Sequence, residues 1–244
     1  PIVLPQNKPT MKSIFEGVQV SLYQSAKHTD PHPASLLALL TTDKYKAQVQ
    51  EYRQKKIAAD KAIAQATTQG EKEEIEKALK AQKANLIAFT PSALQAEGRG
   101  EKHQYTHTGF LSFDIDATDN EYSPESIRDS LATIPEVAYC ALSVSGTGVW
   151  GLVKIAHPER HKQHFQALEA AFKKIGLEID PACKDVTRLR FWSYDPQAHI
   201  NHSAKAFEAL YPPPAPSSAT RPKQARSANR SGGHLLQWAQ DKLT

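Results

Sequence analysis

The chain has 244 residues, 40% of them apolar or aromatic and 23% charged, which fits one or two domains at about 150 residues each; it contains no run near the ~18 consecutive apolar residues of a membrane span and no basic stretch followed by an apolar one that would mark a secretory signal. The formal charge of +4 is carried after residue 210, where Arg221, Lys223, Arg226, Arg230 and Lys242 face one acid, Asp241. Residues 1–210 therefore sum to zero, and nucleic-acid contact by that part must rest on local patches rather than overall charge.

Val18 to Leu22 alternates apolar and polar residues, the pattern of a half-buried strand. Asp30-Pro31-His32-Pro33 reads as a loop, because two prolines remove donors and fix φ, and Ala34 to Leu40 follows as a short helix. Residues 43–86 are rich in Lys, Glu, Gln and Ala and break at Thr67-Thr68-Gln69-Gly70, which predicts two helices. Their apolar stripe is thin, and the segment carries 10 basic and 7 acidic residues, as a charged helix pair packed on one side or a DNA-contacting arm would.

The texture changes at Leu86-Ile87-Ala88-Phe89, a short strand, followed by a loop at Glu97-Gly98-Arg99-Gly100. Thr108 to Asp116 is apolar and aromatic and reads as an interior strand. A helix runs from Ser123-Pro124 to about Ala132, with Ser123 as the cap and Pro124 in the first turn. Val137 to Val144 and Val149 to Ile155 form a hairpin around Ser145-Gly146-Thr147-Gly148. Glu159 to Ile175 is an amphipathic helix with Phe165, Leu168, Phe172 and Ile175 on one face and Gly176 just past its end. Val186 to Trp192 is a further strand. Pro, Ser and Arg dominate residues 211–233, a linker, and 234–244 begins a following helical segment or domain. The two cysteines, Cys140 and Cys183, suit a reducing, cytoplasmic compartment rather than a disulfide framework.

Three features carry chemistry. In Phe113-Asp114-Ile115-Asp116 the aspartates are two apart on a strand, so both carboxylates leave the same face. Two carboxylates held that close repel unless a cation or a shared proton compensates, and hard ions such as Mg²⁺ or Mn²⁺ suit them. A short D-x-D also occurs in solvated turns, but here it ends an apolar strand. The small residues of Ser143 to Gly148 let backbone N–H groups approach an anion, with Lys154 downstream on the second strand. In Lys184-Asp185-Val186-Thr187-Arg188-Leu189-Arg190-Phe191, Arg188 and Arg190 share a strand face and are able to grip phosphate oxygens. Asp185 has the opposite parity and needs a turn or bulge to join them, and Asp180 competes with it as the third carboxylate. His157, His161 and His164 stand at helical spacing among charged residues and read as a solvent-facing group, while His107 lies near enough to the aspartate strand to face a phosphate.

The order of these features resembles the archaeo-eukaryotic primase superfamily of primase-polymerases and, more narrowly, the VirE N-terminal or BT4734-like domain family of bacterial mobile elements and phages. The resemblance rests on Thr106 to Asp116, Ser143 to Gly148, and Lys184 to Pro196 with Asn201 after, and spans about Val18 to Leu210. It implies an α+β fold over residues 1–210, with an RRM-like catalytic sheet, an N-terminal αβ unit and a helical insert at 43–86. It implies two Mg²⁺ or Mn²⁺ ions held by Asp114, Asp116 and Asp185, and nucleotide contacts from Ser145, Gly146, Gly148 and Arg188; by residue type and position, Arg190, Lys154 and His107 add to the nucleotide side. The implied activity is nucleotidyl transfer from nucleoside triphosphates to a primer on a DNA template, with a helicase domain as a C-terminal partner and no membrane association. The wider superfamily often has a histidine after the serine turn. This chain has Val149-Trp150-Gly151 there and is similar to VirE-type domains in lacking that histidine, and Lys154 or His107 would take its place.

Overall fold

The computed structural model describes residues 12–116 and 120–211. The linker from 212 on and the helical segment expected at 234–244 lie outside the described residues. The fold is α+β with antiparallel sheets.

Two four-stranded sheets share the described chain. The first has the order β2-β1-β3-β9, built from β1 (Gln19–Tyr23), β2 (His32–Ser35), β3 (Ala88–Thr90) and β9 (Arg190–Phe191). The second has the order β10-β7-β8-β6, from β6 (Phe110–Asp116), β7 (Val137–Leu142), β8 (Gly148–Lys154) and β10 (His199–Ile200). A small hairpin, β4 (Ala93–Gln95) with β5 (Tyr105–His107), lies between β3 and β6 in the chain. The helices are α1 (Leu36–Thr41), α2 (Lys46–Gln65), α3 (Gln69–Lys83), α4 (Pro124–Leu131) and α5 (His161–Lys174).

The second sheet is covered on both faces, and strand parity decides what each face meets. Leu111, Phe113 and Ile115 of β6, with Val149 and Val153 of β8, pack under α4 and α5 against Ile127, Leu131, Phe165, Leu168 and Phe172. Phe110 of β6, with Trp150 and Leu152 of β8, turns to the opposite side and packs with Phe89, Val20, Leu36 and Tyr52. Asp114 and Asp116 have the parity of Phe110, so they emerge where β6 runs out from under the first sheet.

Helix ends follow the local sequence. Ser35 accepts from Ala38 N and caps α1, Ser123 accepts from Ser126 N and caps α4, and Thr68 and Glu71 form a reciprocal capping box at α3. Gly176 follows α5 with φ 79°.

Three elements differ from the sequence reading. His32–Ser35 is an edge strand rather than a loop and helix start, and Pro33 is tolerated because β2 has a neighbour on one side only. The strand at Thr108 to Asp116 is also an edge, paired only with β8; its apolar composition comes from coverage by helices and the first sheet, not from two flanking strands. The free edge is pinned by Asp180 N–H, which donates to Asp114 O at 2.8 Å. The strand expected at 186–192 shortens to Arg190–Phe191 and pairs with β3 in the other sheet, so no strand flanks β6 on its outer side among the described residues.

Candidate functional site

A cleft of about 730 Å³ opens at the end of the second sheet where β6 stops and β8 begins. That volume lies in the range of small-molecule sites. Asp114, Asp116, Ser145, Gly148, Arg188 and Arg190 all line it, together with Asp180 and Lys83. Residues as far apart as Asp114 and Arg190 thus meet because Asp116 pairs with Gly148 in register, and the segment after α5 runs back along β6.

Two acid–base pairs form within the cleft. Arg190 Nη2 lies 2.5 Å from Asp114 Oδ2, and its guanidinium stacks over the Trp150 ring at 4.7 Å from the centroid. Arg190 is buried, whereas the Asp114 side chain is 36% exposed. Arg188 Nη2 lies 3.0 Å from Asp180 Oδ2. Cys183 also lines the cleft, but burial pushes its thiol up to about 12, so it is no nucleophile at neutral pH.

The serine turn is held from behind. Ser143 N–H donates to Gly148 O at 2.7 Å, and Gly146 N–H to Ser143 O at 2.9 Å, which closes the hairpin. The hydroxyls of Ser143, Ser145 and Thr147 form a chain with contacts of 3.0 and 2.9 Å. Arg53 of α2 donates to Ser143 O at 2.8 Å and Val144 O at 3.1 Å, so the helical insert grips the turn directly. Gly148 is required by proximity: a Cβ there would stand 2.5 Å from Ile115 O.

Four expected site residues lie elsewhere. Asp185 does not line the cleft; its Oδ1 accepts from both Thr187 N and Thr187 Oγ1 at 2.8 Å, so the carboxylate closes its own turn. Asp180, the competing candidate, takes the place beside Arg188 and β6. Lys154 pairs with Phe110 at the opposite end of β8 from Gly148, six residues or roughly 20 Å along the strand. His107 sits at that same far end, where Nδ1 accepts from Gly109 N–H and Nε2 meets His161 Nδ1 at 2.9 Å. Gly146 is in the turn with φ 78°, but it backs onto Arg53 rather than the cleft.

The helix histidines are not a solvent-facing group. His161 and His164 are 3% and 0% exposed. His164 Nε2 accepts from His157 N–H and its Nδ1 meets Ala209 O at 2.8 Å, which fastens the chain after β10 to α5. Burial lowers the pKa of His107 and of His161 to about 4, so both rings are neutral at pH 7. Among the described residues no group of three or more His, Cys, Asp or Glu side chains stands close enough together to hold a metal ion. No described helix is long and apolar enough to cross a membrane.

Residues 81–199, which contain every acidic and basic group of the cleft named above, match the family model described as BT4734-like, N-terminal domain. This segment belongs to the BT4734-like N-terminal domain family. No curated protein and no solved structure matches the chain. The BT4734-like segment begins inside α3, so it takes in Lys83 and excludes Arg53 and the first two strands. Lys83, which lines the cleft, and Arg53, which holds its serine turn from behind, were missed by sequence reasoning.

Proposed function

We propose that the BT4734-like domain is a DNA primase-polymerase that binds a nucleoside triphosphate in this cleft and transfers its nucleotidyl group to a primer 3′-hydroxyl. The observation that carries the reading is the meeting of the D-x-D pair with Arg188 and Arg190 beside the Ser145–Gly148 turn. Carboxylates for a cation and guanidinium groups for phosphates, side by side, are what phosphoryl chemistry requires of a protein that does little covalent work itself. The succession β6, α4, β7, β8, α5, with β8 central between β6 and β7, supports an RRM-like catalytic core.

The donor set fits a hard divalent ion at Asp114 and Asp116, because two carboxylates on one strand face offer oxygen ligands to Mg²⁺ or Mn²⁺. A second ion needs a further carboxylate, and among the described residues Asp180 is engaged with Arg188. The bound ion would supply Lewis-acid stabilisation of the phosphate charge. Arg190, released from Asp114, would turn its guanidinium to phosphate oxygens, and Arg188 at the mouth would offset the charge of the leaving pyrophosphate. The serine turn would orient the nucleotide through its hydroxyls.

A second reading is a catalytically silent nucleic-acid-binding or replication-initiation module. The self-neutralised pairs Arg190–Asp114 and Arg188–Asp180 favour it, since such a cleft is stable without a cation. Extension of a 5′-labelled primer on a DNA template, with Mg²⁺ or Mn²⁺ and nucleoside triphosphates, separates the readings when wild type is run beside Asp114→Ala. Template-dependent product lost in the variant supports the polymerase. Shortened primer identifies a nuclease, and DNA binding without product from either protein identifies the silent module.

A further inference from the structure

Lys83 differs from the other cations of the cleft in being neither ion-paired nor exposed to solvent. It ends α3, and its stem crosses Phe191 with Nζ 5.3 Å from the ring centroid. Arg188 and Arg190 are each ion-paired, and Lys173, on the α5 wall, is solvated. Lys83 is half-buried, and among the described residues no hydrogen-bond acceptor or carboxylate lies within bonding reach of its Nζ. Asp114 and Asp116 act on it from longer range, yet burial still outweighs them and lowers its pKa. An ammonium withdrawn from water without a partner is unfavourable, and a cleft that keeps one is complete only when a ligand brings the anion.

The geometry points to Lys83 as a phosphate-binding residue, its ammonium taking a phosphoanion that enters the cleft. A lysine suits this task as a compact point charge with three donors. The source of the anion is either the triphosphate of a nucleotide or a phosphodiester of a DNA strand, and both chemistries are the same at Nζ. The inference deepens the nucleotide-cleft reading and rests on it. It also makes the helical insert part of the site, since the last residue of α3 lines the cleft and the rest of the insert does not.

The test is equilibrium binding of three probes, inorganic tripolyphosphate, dATP with Mg²⁺, and a single-stranded oligonucleotide, to the full chain. Wild type is compared with Lys83→Met, which keeps a stem over Phe191 and removes the charge, and with Lys83→Arg, which restores a charge. The expected result is a loss of about tenfold or more for at least one probe in Lys83→Met, recovered in large part by Lys83→Arg. Loss confined to tripolyphosphate and dATP assigns the anion to the nucleotide; loss confined to the oligonucleotide assigns it to the strand. Equal binding of all three probes by wild type and Lys83→Met overturns the role of Lys83 and leaves the nucleotide reading standing. No binding of any probe by wild type overturns both. Lys83→Gln provides the same comparison should the methionine variant fail to fold, with thermal melts identifying that case.

Discussion

Arg190 of β9 and Asp114 of β6 belong to different sheets, yet their Nη2 and Oδ2 atoms are 2.5 Å apart. The contact joins the two layers at the cleft and places a buried cation against a partly exposed carboxylate. Asp114→Asn leaves Arg190 buried without its anion. We expect a loss of about 1–3 kcal/mol in urea unfolding, together with loss of any metal-dependent synthesis. A double-mutant cycle with Arg190→Met isolates the pair, and a coupling energy below about 0.5 kcal/mol would refute a stabilising contact.

Arg53 acts on the turn without lining the cleft. Its two bonds to Ser143 O and Val144 O are lost in Arg53→Met, which keeps the aliphatic stem. The variant should raise the apparent KM for nucleotide several-fold more than it lowers kcat, and amide exchange should speed up at residues 143–148. Unchanged exchange there would show that the turn stands without the helix.

Gly148→Ala tests the register that brings the site together. A methyl group 2.5 Å from Ile115 O forces β6 and β8 apart at the end that carries Asp116. Thermal denaturation should show a loss of about 2 kcal/mol or more, within the range of overpacked cores. Gly146→Ala meets a different obstacle, the positive φ of 78°, and should cost about 1 kcal/mol.

The far end of the molecule sets an acid limit. His107 and His161 have folded-state pKa values near 4, below the ordinary 6.5 that they regain on unfolding. The unfolded chain therefore takes up protons that the folded one refuses, and stability falls as pH drops from about 6.5 towards 4, by on the order of a few kcal/mol. Well above pH 6.5, where the rings are unprotonated in both states, they contribute no slope. Melting temperatures across pH 4–8 should show the decline, and His107→Gln should flatten part of it. An equal slope in that variant would place the acid sensitivity elsewhere.

Much of this arrangement was legible in local sequence because its causes are local. A period of two puts Asp114 and Asp116 on one face whatever surrounds the strand, and the hairpin at 145–148 follows from small residues between two apolar runs. The choice between Asp180 and Asp185 depends on how the chain turns after α5. The one local sign was Thr187 two residues after Asp185, the spacing at which an aspartate closes its own turn. The burial of His161 and His164 was available in the helix phase, since His161 lies four residues before Phe165 and seven before Leu168 on the packed face. Lys83 and Arg53 had no such signal. Ten cations in a charged helix pair look alike until the packing of that pair selects which two meet the second sheet.

The pairing of β1 with β3 has a practical consequence for how the protein is handled. β1 lies before the BT4734-like segment and β3 inside it, and after it Asn201 N–H still bonds Ala138 O, and Phe207 N–H bonds Lys154 O. A fragment trimmed to 81–199 would expose a bare strand margin at β3 and strip Val20, Tyr23 and Leu36 from the buried surface. Such a fragment would self-associate before any chemistry was measurable, so expression boundaries belong outside the matched span, at or before residue 12 and beyond residue 211.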